Sequence, residues 1–346
     1  VKSAVDSLAD TMKYVTYPTG HTDTLEVAAR RAVLTGVNQT GAKLQVARAD
    51  EMGVEFFETT AHGGARPSHA EWQGRQFHRG GAVDYMGKHY PDFEAATGYG
   101  TGAGLCGWNC RHTFFAIFPE LGAPPAWTQE SLEALNARDI KYNGGRYTRY
   151  EISQMQRARE RTVRKYKRRY LAEDAAGADT TASAVKLRQA RQDLADFISA
   201  TGGRADSART SVAGFGRSEA GKASYTARKQ ERFDSANVEL QQMREAGTIK
   251  AKGKLIESPP APNEINFASE HVLQRWAERG MGPMDAERII RSSKVAMSQR
   301  NGTQTCYYSE YGFVAIGQNG NVSSIGPLDE GGQKLMEVVK KHGIPH

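Results

Sequence analysis

The sequence Cys106-x3-Cys110-x-His112, with His69 upstream, offers two soft thiolates and two imidazoles. That is an adequate tetrahedral donor set for zinc. His62, His78 and His89 are further imidazoles in the same stretch. Four protein ligands would leave no open coordination position, so a zinc ion held by His69, Cys106, Cys110 and His112 would have a structural role. The competing reading is that both cysteines are small buried residues and the histidines pack or hydrogen-bond in a glycine-rich region. A second set lies near the C-terminus, where His271 and Arg275 stand four residues apart on a predicted helix. That spacing puts an imidazole and a guanidinium on one face, able to converge on one anionic group. Metal-independent RNA cleavage needs this pair: an imidazole near neutral pKa moves the 2′-hydroxyl proton, and a guanidinium offsets charge on the pentacoordinate phosphate. Arg300, Tyr308 and Ser324 would complete the catalytic cradle from strands or strand edges. No carboxylate cluster for a metal occurs between 263 and 346, so no cofactor is expected there. The plainer alternative is a helix-stabilising pair. Residues 263–346 are net neutral, without the basic surface of an RNA-binding enzyme.

Charge marks a third set. Residues 138–170 carry a net +9, while the whole chain carries +7, so the basic character belongs to one segment. Arg157, Arg159, Arg161, Arg164, Lys165, Lys167, Arg168 and Arg169 surround one predicted helix. Such a ladder would neutralise DNA phosphates without sequence preference and with steep salt dependence. A solvated face, or docking on an acidic protein surface, stands as the alternative.

These groups need elements to hold them. Val5, Leu8, Met12 and Val15 predict a short amphipathic N-terminal helix. A longer helix is expected from Thr22 or Thr24 towards Glu51, with Gly36 and Gly41 as points where it would break. Residues 54–60 read as a short strand leading into His62-Gly63-Gly64, and residues 66–125 as an irregular, Gly- and aromatic-rich segment. Ile152, Met155, Arg159, Val163, Tyr166 and Tyr170 form the seam of a long helix. Leu187, Ala190, Leu194 and Phe197, then Phe233, Ala236, Leu240 and Met243, repeat the spacing, with connections expected at 174–183 and 202–224. Helices are predicted at 268–279, 283–292 and 329–342, with strands at 294–299, 303–309, 311–317 and 321–326. Asn301-Gly302 and Asn319-Gly320 mark hairpins between strands.

The fold class expected is therefore α+β and multidomain. An irregular Gly/aromatic-rich N-terminal domain (1–137) precedes a basic long-helix region (138–249). A linker at 250–265, containing Ser258-Pro259-Pro260-Ala261-Pro262, leads to a small α+β domain (266–346) of two helices followed by a four-stranded antiparallel sheet. Three cysteines cannot form a fully paired disulfide framework, which fits assembly in a reducing bacterial cytoplasm. No run of 18 apolar residues and no secretory pattern occurs, so neither a membrane span nor signal-directed export is expected. The chain begins at Val1 rather than Met, the start expected of a trimmed or partial product.

Gly64-Ala65-Arg66-Pro67-Ser68-His69-Ala70-Glu71-Trp72-Gln73-Gly74, Gly98-Tyr99-Gly100 and Leu105-Cys106-Gly107-Trp108-Asn109-Cys110-Arg111-His112 together resemble the phage minor capsid protein 2 family, related to head-morphogenesis proteins of Mu-like phages. The Arg-rich helix 147–170 and Val212-Ala213-Gly214-Phe215-Gly216-Arg217 extend the resemblance over 17–216. It implies a minor virion component, in few copies near the portal of a tailed-phage head, with portal or major capsid protein and packaged DNA as partners. No enzyme activity follows from it. The helix, helix, four-strand order, with His271-x3-Arg275 and Glu278-Arg279-Gly280, resembles ribonuclease toxin domains of the barnase, EndoU, colicin and RelE-like group over 266–327. That implies an RNA substrate, tRNA among the candidates, an immunity partner, and action in the host cytoplasm. The combined expectation is a minor head protein carrying a ribonuclease-like effector. The alternatives are a purely structural virion protein with an inactive C-terminal module, and a bacterial toxin on a capsid-like scaffold.

Overall fold

A computed structural model describes residues 14–18, 20–260, 262, 264–267 and 270–345; the side chains of Glu26, Glu270, His271 and Arg275 are outside this description. The helix expected through Val5, Leu8 and Met12 lies outside the described residues, and Val15 sits in a strand, β1 (Tyr14–Thr16), paired antiparallel with β2 (Thr22–Thr24). The chain divides into two compact units, Val1–Glu219 and Ala220–His346.

In the first unit, α1 (Leu25–Glu51) starts after Thr24 and runs unbroken through Gly36 and Gly41. Each glycine costs a helix roughly 0.5–1 kcal/mol. The buried Ala42 and Ala49 offset that by packing with Phe57, Phe93 and Phe114 in one apolar cluster. Those rings meet at centroid distances of 4.9–5.1 Å, two of the pairs edge to face. β3 (Phe56–Thr59) is the central strand of a three-stranded antiparallel sheet, flanked by β4 (Gln76–His78) and β7 (Phe114–Ala116). Between them lie only short elements: α2 (Pro67–Ala70), the hairpin β5 (Val83–Tyr85) with β6 (Lys88–Tyr90), and α3 (Phe93–Thr97). So much glycine leaves side chains too sparse for long elements, and close backbone packing replaces them. A Cβ on Gly104 would collide with the Gly98 carbonyl, and one on Gly107 with the Gly102 carbonyl.

After α4 (Gln129–Leu135) and the hairpin β8 (Ile140–Tyr142) with β9 (Gly145–Tyr147), the long-helix region begins. α5 (Arg149–Ala175) opens with a capping box: Thr148 Oγ1 accepts from Glu151 N and the Glu151 carboxylate accepts from Thr148 N. α6 (Thr181–Thr201) follows after a short turn, and the expected seams are the buried ones: Ile152, Val163 and Tyr170 on α5, Leu187, Ala190 and Phe197 on α6. A short helix, α7 (Ser207–Thr210), interrupts the next connection. α8 (Arg217–Glu245) starts inside the stretch expected as connection, because Ala223 and Ala227 supply a small buried face.

The second unit holds a five-stranded antiparallel sheet in the order β10 (Lys254–Glu257), β11 (Val295–Gln299), β12 (Gln304–Ser309), β13 (Gly312–Gly317), β14 (Val322–Gly326). Four of these are the expected strands. The fifth, β10, comes from the stretch read as linker: Leu255 and Ile256 pair with Met297 and Ala296 ahead of the prolines. α8 and α11 (Glu330–Lys341) cover one face through Phe233, Leu240, Leu335 and Val339. α9 (Glu270–Arg279) and α10 (Pro283–Ser292) cover the other through Val272, Trp276, Ile289 and Ile290. Both faces being buried explains why these strands read as near-continuous apolar runs rather than alternating ones.

Candidate metal centre and basic cleft

His69 stands on α2, a single turn started by Pro67 at its first position, where a missing N–H costs nothing. Cys110 and His112 arrive from the glycine-packed loop, whose backbone is tied by Trp108 N to Gly102 O (2.6 Å) and Cys110 N to Gly107 O (3.1 Å). α1 clamps the same loop: Asn38 Nδ2 donates to the carbonyls of Cys110 (3.1 Å) and His112 (3.3 Å). The result is a group of three donors, His69, Cys110 and His112, all within 4.8 Å of one another. Among the described residues it is the one group of this type. Cys110 Sγ lies 3.7 Å from His69 Nδ1 and 3.6 Å from His112 Nδ1.

Both imidazoles have fixed tautomers. His69 Nε2 is 2.9 Å from the Ala103 carbonyl, an acceptor only, so that nitrogen carries the proton. His112 Nε2 is 3.0 Å from Gln73 Oε1, which also accepts from the backbone N–H of His62, so Gln73 presents its oxygen and His112 Nε2 donates. Both Nδ1 lone pairs therefore face one sulfur. Burial pushes His112 down to about 3, helped by His62, His69, Arg66 and Arg111, and lowers His69 against the opposing Ala103 bond. Burial likewise raises the Cys110 thiol.

Cys106 is not part of this group. It is 1% exposed in the aromatic core, its Sγ directed at the His112 carbonyl (3.5 Å), and burial with Cys110 beside it pushes its thiol up to about 12. Of the spare histidines, His62 stacks on His112 at 4.2 Å, and its Nε2 is buried without a partner. His78 and His89 lie elsewhere, bonded to the Gly81 carbonyl and the Asp84 carboxylate. The three donors line a cleft of about 710 Å³ that also exposes Arg31, Arg66, Arg111 and Arg157. Sequence reasoning missed Gln73 and Arg66; the only signal was their place in the Arg66-to-Gly74 run.

The basic helix is largely committed to its own unit. Arg157 lines the cleft; Arg159 stacks over Phe197 (4.1 Å) and donates to Tyr142 Oη (3.1 Å). Arg164 donates to the Arg209 carbonyl, Lys167 to the Thr210 carbonyl (2.6 Å), and Arg169 pairs with buried Glu173 (3.0 Å). Arg168 is half-buried and also engaged, whereas Arg161 and Lys165 are exposed.

The C-terminal set is split by the sheet. His271 and Arg275 belong to α9, whose Val272 and Trp276 pack on the face that carries Tyr307. Tyr308, one residue on, is buried in the opposite cluster with α8 and α11, and burial raises its phenol far above the ordinary value. Ser324 pairs with Ala315 and shares that opposite face. Arg300 is exposed in a left-handed turn with φ 48°. The five residues are therefore not gathered into one cradle: strand alternation sends Tyr308 and Ser324 away from α9.

A family model described as Phage minor capsid protein 2 matches residues 1–199, the span holding the three-donor group, the cleft and the basic helix α5. The class is therefore viral, a protein of the phage head and a component of the virion. The chain belongs to the phage minor capsid protein 2 family. Neither a curated protein nor a solved structure matches it, and the ribonuclease resemblance of the C-terminal unit has no match behind it. Among the described residues no helix is long and apolar enough to cross a membrane.

Proposed function

We propose that this chain is a structural minor protein of the head, built into the particle through the outer face of α1. The observation that carries this is an apolar stripe on that helix: Val33, Leu34, Val37 and Leu44 are 57–69% exposed. The opposite face of the same helix, Thr35, Ala42 and Ala49, is buried in the unit. Covering each exposed aliphatic side chain would contribute roughly 1.5–3 kcal/mol. The partner is an apolar surface of another head protein, the portal or the major capsid protein. Phage carrying Val33→Glu with Val37→Glu tests it. The isolated protein should keep its thermal stability, since both positions already face solvent, while purified heads should lack it. Incorporation at the wild-type level would overturn the proposal.

In this reading the basic helix α5 is mainly an internal brace, and packaged DNA meets its exposed Arg161 and Lys165. The C-terminal unit serves as a packing module and needs no immunity partner, because its nuclease candidates lie on both sides of the sheet. Full-length protein with total RNA and tRNA in EDTA should leave both intact. Cleavage that His271→Ala abolishes would restore the effector reading.

A further inference from the structure

The three-donor group poses a proton-count problem. With both Nε2 atoms donating to fixed acceptors, two Nδ1 lone pairs point at Cys110 Sγ, and a thiol has one proton to give. One buried nitrogen is then left without a donor, and an unsatisfied buried acceptor destabilises the fold. A cation bound by all three atoms removes the conflict. The sulfur–nitrogen spacing fits one: with Zn–S near 2.3 Å and Zn–N near 2.0–2.1 Å, tetrahedral angles put sulfur and nitrogen about 3.6 Å apart. The observed separations are 3.7 and 3.6 Å. Each imidazole also already carries the outer partner that metal-ligating histidines use, a carbonyl oxygen on the far ring nitrogen.

We infer that His69 Nδ1, Cys110 Sγ and His112 Nδ1 bind one zinc ion, with a fourth, exchangeable position open to the arginine-lined cleft. Two neutral imidazoles and one thiolate leave the ion with net positive charge, and Arg66, Arg111 and Arg157 add to it. No carboxylate is among the described residues lining the cleft. His62, though stacked on His112, is not among the donors lying within 4.8 Å of one another, so the fourth ligand is water or a small anion from solution. Cys106 takes no part, which separates this site from a closed four-ligand one.

The test uses full-length protein. Metal analysis after purification should find about one zinc per chain. After chelation, cobalt titration should saturate at the same stoichiometry, with tetrahedral visible bands and a thiolate-to-cobalt charge-transfer band. Azide should shift the visible bands, because the fourth position exchanges. Cys110→Ser should abolish the charge-transfer band and Cys106→Ser should keep it. Gln73→Leu should weaken zinc affinity roughly 10–100-fold by freeing the His112 ring. Absence of stoichiometric zinc or cobalt in the wild type would overturn the inference without any variant. Bands indifferent to azide, or a charge-transfer band lost with Cys106→Ser and kept with Cys110→Ser, would overturn the open three-ligand geometry.

Discussion

Single residues in this protein act through what they cap or clamp. Thr148 and Glu151 close the first turn of α5 reciprocally, and Arg138 adds a 3.0 Å ion pair to Glu151. The backbone bond from Thr148, followed by its hydroxyl and Arg138, holds the Glu151 carboxyl below the usual carboxylate range. A carboxyl depressed on folding stabilises the protein above its unfolded pKa, and that contribution is lost as pH falls through the folded value. The urea midpoints of wild type and Glu151→Gln should therefore differ near pH 7 and converge as the pH drops below about 4. A gap that stays constant with pH would remove the charge from the account. Thr148→Ala should cost about 1 kcal/mol at neutral pH, read from the same curves. The metal-type residues His69, Cys106, Cys110 and His112 are legible from type and spacing. Which of them the fold brings within 4.8 Å of one another is not, because Cys106 and Cys110 look alike in sequence. The Cys106 backbone turns left-handed at φ 60° and its side chain is buried in the aromatic cluster.

At the scale of elements, the apolar periodicity of α5, α6 and the C-terminal helices reproduced their burial, since a helix seam is set by local spacing. The charge run on α5 carries no such local guide to its partners. Arg164 and Lys167 bond to the carbonyls of Arg209 and Thr210, more than 40 residues away, and no local pattern announces such partners. Reversing charge separates the roles. Arg164→Glu with Lys167→Glu should lower thermal stability by several degrees, because half-buried carbonyls lose donors and gain nearby anions. Arg161→Glu with Lys165→Glu should leave the melting temperature within about one degree, as exposed substitutions away from special features do. If the exposed pair is the destabilising one, the brace reading fails. α1 taught a different lesson: glycines at 36 and 41 suggested breaks, yet packing against Phe57 and its neighbours overrode propensity.

On the scale of the molecule, the Asn-Gly pairs placed the C-terminal hairpins correctly because the left-handed backbone of Asn301, Gly302 and Gly320 is written in residue type. β10 escaped notice since a four-residue edge strand beside consecutive prolines carries a weak signal of its own. The second unit needs it, and needs α8: Phe233, Ala236, Leu240 and Leu255 are all in the cluster under α11. A fragment of residues 220–346 should unfold cooperatively, whereas 263–346 should lose that cooperativity or aggregate through its uncovered face. Equal behaviour of the two fragments in a urea titration would contradict this assignment. The central claim, that the chain is a built-in minor protein of the phage head, is most directly tested by quantitative mass spectrometry of density-purified, DNA-filled particles. The account predicts the intact chain in every preparation, at a small fraction of the major capsid protein and resistant to a high-salt wash. Its absence from washed particles, despite expression in the infected cell, would contradict the account.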